Sequence, residues 1–235
     1  MDYLKSNLQE IQENIAHAAN KSGRRLEDIT LIGVSKTIPI EKIKHAFEIG
    51  IHHFGENRVQ ELLTKYGEFD KMRTPVWHMI GHLQTNKVKY IIDKVDLIHS
   101  VDSIRLAEEI DKRAKRYDID MDVLIEINIA KEDSKHGVLP EKAQEFIEQI
   151  QHLTNIHVKG LMCMAPYVEI SEQNRIYFEK MYKLFIDIQC RKMHNVDMQI
   201  ISAGTSGDYQ VAIECGANIV RVGTELFGNR SNREA

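Results

Sequence analysis

The stretch Leu31-Ile32-Gly33-Val34-Ser35-Lys36 reads as a buried strand that ends on a lysine. With Ile29 before it and Thr37-Ile38-Pro39 after it, the run shows little alternation, which predicts a strand covered on both faces, as in a parallel sheet. The C-terminal end of such a strand is where α/β folds place their chemistry. Desolvation there lowers the pKa of a lysine and frees its amine to attack a carbonyl, so Lys36 is a candidate Schiff-base nucleophile. The plainer alternative is a lysine that snorkels out of the strand end.

Outward from this strand the chain alternates regularly. Before it, Leu4, Leu8, Ile11, Ile15 and Ala18 recur at helical spacing over residues 3–20, an amphipathic helix that Gly23 stops. Strands are predicted over 29–36, 52–57, 76–81, 97–101, 122–128, 156–164, 198–204 and 219–224. Helices are predicted between them over 39–50, 58–66, 86–92, 103–117, 140–153, 171–193 and 208–215. Strands alternating with helices, without a linker or low-complexity segment, predict an α/β single domain over 1–235: a (β/α)8 TIM barrel with an extra N-terminal helix. The competing architecture, a doubly wound open sheet, usually carries a glycine-rich turn after its first strand, where this chain has Lys36-Thr-Ile-Pro39.

The 235 residues carry a formal net charge of -4 with acids and bases interspersed, which offers no basic stripe for nucleic acid and no polybasic tail for lipid. No apolar run approaches the roughly 20 residues of a membrane span, and Met1-Asp-Tyr-Leu-Lys-Ser6 lacks the apolar core of a signal peptide. These features predict a cytoplasmic protein without nucleic-acid or membrane partners, and no long apolar patch demands a second copy, so a monomer is expected. Cys163, Cys190 and Cys215 are odd in number and far apart, the pattern of reduced structural thiols.

A barrel should gather polar residues at the C-terminal ends of its strands, and the predicted ends present Lys36, Asn57, His82, Asp102, Asn128, Ser202 to Ser206, and Arg221 to Thr224. Ser202-Ala-Gly-Thr-Ser-Gly207 and Gly223-Thr224 offer hydroxyls and backbone N–H groups that could close on an anion, in the two loops where barrels usually hold phosphate. A tight turn with a helix cap would account for either loop alone. Arg221 lies in an otherwise apolar strand and needs an acceptor, either a ligand such as a pyridine nitrogen or an internal acid such as Glu126. His78 and His82 are about 13 Å apart along a strand, too far to share an ion, and His52-His53 point to opposite faces, so no metal site is expected. His82 could stack on a ligand or act as a cap. Asn57 could do either, and Asp102 reads as a helix cap.

Together, Val34-Ser-Lys-Thr37, Phe54-Gly-Glu-Asn-Arg-Val-Gln-Glu61, Trp77-His-Met-Ile-Gly-His-Leu-Gln-Thr-Asn-Lys87, Ser134-Lys-His-Gly137, Gly160-Leu-Met-Cys-Met164 and Val220-Arg-Val-Gly-Thr-Glu-Leu-Phe-Gly228 resemble the YggS/PROSC family of pyridoxal phosphate homeostasis proteins. The resemblance covers nearly the whole chain. It implies a barrel like the N-terminal domain of alanine racemase, with pyridoxal 5′-phosphate (PLP) held as a Schiff base on Lys36. It also implies that Ser202, Ser206, Gly223 and Thr224 hold the phosphate, that Arg221 faces the pyridine nitrogen, and that Asn57 and His82 lie near the ring. The chain departs from the family pattern at Ala203 and Thr205, where methionines are expected.

A racemase needs a second acid or base opposite the lysine, from an added domain for which a chain ending at Ala235 leaves no room. An arginine at the ring nitrogen also weakens PLP as an electron sink. The expectation is therefore a PLP carrier that serves PLP-dependent apoenzymes without robust catalysis. A weak amino-acid racemase and a Schiff-base aldolase acting on a sugar phosphate are the enzyme alternatives.

Overall fold

The computed structural model describes residues 2–69 and 74–228. Eight parallel strands follow one another around a closed barrel in sequence order, and the last pairs back onto the first. They are β1 (Thr30–Val34), β2 (His53–Glu56), β3 (Val76–Met79), β4 (Leu97–Val101), β5 (Met121–Ile127), β6 (Ile156–Cys163), β7 (Val196–Thr205) and β8 (Ile219–Val222). The α-helices are α1 (Asp2–Lys21), α2 (Ile40–Glu48), α3 (Val59–Tyr66), α4 (Ile104–Tyr117), α5 (Ala143–Ile150), α6 (Arg175–Gln189), α7 (Tyr209–Glu214) and α8 (Thr224–Phe227). The predicted (β/α)8 barrel with its extra N-terminal helix is the observed fold.

Strand parity divides the apolar residues into two compartments, because successive side chains point to opposite faces. The larger lies between the strands and the helices and includes Phe54, Trp77, Ile98, Val123 and Val220. The smaller is a plug inside the barrel, formed by Ile32, Leu97, Leu124, Met162 and Ile219 with Ile200 packed against it. The plug is small because much of the interior is polar.

The structure differs from the sequence expectation locally in three places. The third connection is a 3-10 turn at Thr85–Tyr90, not an α-helix, although Val88, Ile91, Ile92 and Val95 are all buried. The predicted helix over 171–193 is a 3-10 turn at Ser171–Asn174 followed by α6, which ends at Gln189, before the exposed Cys190-Arg-Lys192. The first strand stops at Val34, which leaves Lys36 just beyond it, beside Thr37 at a φ of 61°.

The helix α1 buries the predicted stripe of Leu4, Leu8, Ile11, Ile15 and Ala18 and packs on α7 and α8, the helices that follow β7 and β8. Asn7 donates to the carbonyl of Leu226 in α8 at 3.0 Å, and Lys21 pairs with Glu214 of α7 at 3.0 Å. The α1 helix thus supports both final βα connections from outside. Ile11 is fully buried in this interface, so Ile11→Ala should cost about 2–4 kcal/mol in urea unfolding, with the far-ultraviolet spectrum unchanged.

Candidate functional site

Lys36 emerges from β1 into a backbone held by buried charges. Lys65 Nζ, on α3, donates to the carbonyl of Ser35 at 2.6 Å and to Glu56 Oε1 at 2.6 Å, and also reaches Glu61 Oε1 at 2.7 Å. Glu61 accepts the N–H of Thr37, and the Ser35 hydroxyl donates to Glu56 at 2.6 Å. The residues on both sides of Lys36 are therefore pinned. This matters because Thr37 occupies the left-handed region, which a β-branched residue adopts only when its surroundings impose it. Burial pushes the Glu56 carboxyl up from its ordinary value, while Lys65 and then Ser35 pull it back.

At the other seam of the barrel, β7 and β8 deliver two loops to the same mouth. Gly204 has a φ of 89°, and a Cβ there would meet Tyr209 Cα at 2.7 Å, so only glycine lets the strand end turn this tightly onto α7. The turn brings Ser206 to the start of α8, where its hydroxyl accepts the N–H groups of Gly223 at 3.2 Å and Glu225 at 3.4 Å. Thr205 donates its N–H to Asp208 Oδ1 at 2.7 Å, and Asn174 donates to Asp208 Oδ2 at 2.8 Å, which ties the loop after β7 to the segment before α6.

Arg221 projects from β8 into the barrel and is 3% exposed. It donates to Ser202 Oγ at 2.5 Å, to the carbonyl of Cys163 at 2.8 Å and to Met164 Sδ at 3.0 Å. Among the described residues no carboxylate lies within ion-pair distance of it, so the pair with Glu126 does not form. Burial lowers the guanidinium from its ordinary value. Glu126 is close enough to feel Arg221, yet burial first and Asp102 second push its carboxyl up to about 7.

Lys36, Ser206, Arg221, Gly223 and Thr224 line one cavity of about 520 Å3 at the C-terminal mouth, a volume typical of small-ligand sites. Ser202 is fully buried and lies under Arg221, outside that lining. Asn57 and His82 lie outside it too. Asn57 packs on Gly81, where a Cβ would come within 2.5 Å of its carbonyl oxygen. His82 stacks on His136 with ring centroids 3.8 Å apart and faces Asp102 at 3.5 Å. His82, Asp102 and His136 thus offer possible metal-ligand atoms within 4.8 Å of one another, a gathering of three loops that strand spacing could not reveal. The rings are only 12° from parallel, so their in-plane lone pairs cannot converge on one ion without rotation. Sequence reasoning passed over Lys135, Asn174 and Asp208, which also line the cavity. Lys135 stood in the Ser134-Lys-His-Gly137 motif, the one signal that pointed to it.

A family description, "Alanine racemase, N-terminal domain", matches residues 6–231. The pyridoxal phosphate homeostasis protein of Aquifex aeolicus (strain VF5) is 46% identical over 95% of this chain and 96% of its own. The chain belongs to the YggS/PROSC family of pyridoxal phosphate homeostasis proteins. Two structures extend the family likeness. A protein of unknown role from Bifidobacterium adolescentis superimposes with a TM-score of 0.91 at 32% identity, over 96% of this chain and 95% of that one. PipY of Synechococcus elongatus PCC7942, solved with PLP bound, superimposes with a TM-score of 0.83 at 29% identity, over 96% of this chain and the whole of that one.

Two outcomes follow from the charges. Lys65→Met leaves Glu56 buried without its cation and should cost about 3–5 kcal/mol in urea unfolding. For Glu126 the folded carboxyl binds its proton more tightly than the unfolded one, so the stability tied to that proton is complete below 4.5 and is lost as pH rises to about 7. Glu126→Gln should remove that part of the decline, read as the unfolding free energy of both proteins across the same pH range.

Proposed function

We propose that the protein binds PLP at the C-terminal mouth of the barrel, with Lys36 as its covalent anchor, and keeps it for intracellular supply instead of turnover. The observation that carries this is a single cavity that joins a lysine amine, a pair of backbone N–H groups and an arginine without a carboxylate. When bound, PLP supplies an aldehyde carbon open to amines and an electron-withdrawing ring.

Each feature of that ligand finds a matching group. The N–H groups of Gly223 and Glu225 converge on the Ser206 hydroxyl, and a phosphate oxygen is a stronger acceptor for the same donors. Ser206 and Thr224 add hydroxyls at that end of the cavity. Lys36 enters from β1, the strand that pairs with β8, so amine and phosphate cradle come from neighbouring strands. Arg221 is assigned to the ring nitrogen. A guanidinium there leaves that nitrogen without a proton, which withholds the strong electron sink that amino-acid chemistry requires. The related PipY, solved with PLP bound, and the relatives named as PLP homeostasis proteins support PLP as the ligand. PLP-dependent apoenzymes are the partners it implies, in the cytoplasm. No described helix is long and apolar enough to cross a membrane.

The test is a visible absorption spectrum of the purified protein mixed with PLP. The wild type should be yellow, and Lys36→Ala should lack the band of the lysine-bound cofactor. A band that persists in Lys36→Ala would remove Lys36 from its role. Pyridoxal, which lacks the phosphate, should bind about a hundredfold more weakly, since it forfeits two or more charge-assisted hydrogen bonds. Exchange of the α-hydrogen of L-alanine in deuterium oxide should stay near the rate of unbound PLP, and sustained exchange that Lys36→Ala abolishes would favour a racemase.

A further inference from the structure

Inside the barrel three histidines form a continuous ladder. His53 begins β2, His78 is on β3 and His99 on β4, each with its side chain on the inner face. His53 Nδ1 is 3.0 Å from His78 Nε2, His78 Nδ1 is 3.0 Å from His99 Nε2, and His99 Nδ1 is 3.0 Å from Ser202 Oγ. Ser202 in turn accepts from Arg221. The chain therefore starts at the proposed PLP cavity and ends at His53, which lines a second cavity of about 390 Å3 beside Gly50, His52 and the residues of α1.

The direction of every hydrogen bond in the ladder follows from its first two members. A guanidinium only donates, so Ser202 Oγ accepts from Arg221; among the described residues the one other partner of this buried hydroxyl is His99 Nδ1, so its own hydrogen is satisfied only by donating there. With Nδ1 accepting, His99 carries its proton on Nε2 and donates to His78 Nδ1. His78 then donates from Nε2 to His53 Nδ1, which places the His53 proton on Nε2 as well. Each ring must be neutral for this to hold. Burial keeps His78 and His99 so, pushing His78 down to about 3 and His99 well below its ordinary value. Arg221 presses on His99 in the same sense, and Asp96 and His52 are the titratable groups that face His53.

We propose that His99, His78 and His53 are positioning residues: a one-way hydrogen-bond relay through the barrel that holds the Ser202 hydroxyl as an acceptor beneath Arg221 and so sets the guanidinium at the cavity floor. Only its consequence for the cofactor rests on assigning Arg221 to the ring nitrogen. Ser202 becomes the lower support of Arg221 instead of a phosphate ligand. The relay also joins the two faces of the barrel, so a change in the His53 ring is felt at Arg221.

The test begins without PLP. Ring-nitrogen NMR of the 15N-labelled protein at neutral pH should show His53, His78 and His99 all protonated on Nε2, with each Nδ1 accepting a hydrogen bond. A proton on Nδ1 of any one of them breaks the relay and overturns the proposal. Ser202→Ala removes the source of direction, so the tautomer mixture of His53, three rings away, should change. An unchanged His53 would reduce the ladder to local packing. With PLP added, His99→Leu should release the cofactor about five- to tenfold faster, the loss of one buried hydrogen bond, and His99→Asn should recover most of that. Release unchanged in His99→Leu would sever the relay from the site. A wild type that lacks the visible band would defeat the proposed function while the tautomers still decide the relay.

Discussion

Arg221 is a full positive charge inside a barrel, and among the described residues no carboxylate stands within reach to neutralise it. Burying a guanidinium this way costs several kcal/mol unless its N–H groups find acceptors. The acceptors present are a hydroxyl, a backbone carbonyl and a thioether, all neutral. They satisfy geometry without cancelling charge, and the surplus is held where the cavity opens. An anionic ligand with an acceptor facing the floor relieves that surplus, and the N–H groups at the end of β8 sit two to four residues along the same chain segment. Arg221 thus links the two ends of the site, from the interior hydrogen-bond chain to the mouth that takes the phosphate in the proposed function.

The lysine side of the cavity is held by a different kind of constraint. Around Lys36 the structure uses ionic groups in close contact, with Glu56, Lys65 and Glu61 gripping the backbone from outside the barrel wall. Beneath Arg221 it uses neutral rings and a hydroxyl inside the wall. The first arrangement fixes backbone and the second fixes a side chain. A carboxylate against Arg221 would have tied up the donors intended for the ligand, whereas Lys65 and its acids act on the peptide groups on either side of Lys36, which lines the cavity. The buried ion network is therefore placed where its strength fixes geometry.

The sequence carried the architecture well because the barrel is written in local patterns. Eight apolar runs and the polar residues at their ends follow from residue type and spacing, and Lys36, Ser206, Arg221, Gly223 and Thr224 were found that way and share a cavity. What escaped depends on the register between strands. His53, His78 and His99 each look like an isolated histidine in its own strand. They become a ladder only when closure staggers β2, β3 and β4 so that the rings climb across the interior, as the pairing of Gly55 with His78 and of His78 with Leu97 shows. Ser202 and Ser206 look alike in sequence, but two strand residues and a turn at Gly204 carry the second to the mouth while the first stays below Arg221. Lys65 read as a residue of a helix and nothing more, because its partners Ser35 and Glu56 come from two other elements.

The rim offers a contrast that bears on release. The walls supplied by β1, β7 and β8 are tied down by buried hydrogen bonds, while the wall supplied by the segment after β6 is loosely covered: Met164 is 43% exposed and Tyr167 is 95% exposed. Asn174 holds that segment by donating to the carbonyl of Pro166 at 3.0 Å and to Asp208, and Lys135 reaches the carbonyl of Ala165 at 3.2 Å. A segment held by a few side-chain hydrogen bonds opens at less cost than a packed strand end. A holder of cofactor has to bind at fixed points and yet let go, and here the fixed points and the yielding wall belong to different strands. Opening the segment after β6 would cost Arg221 its Met164 contact but leave its bonds to Ser202 and to the Cys163 carbonyl, which belong to strands, and the N–H pair at β8.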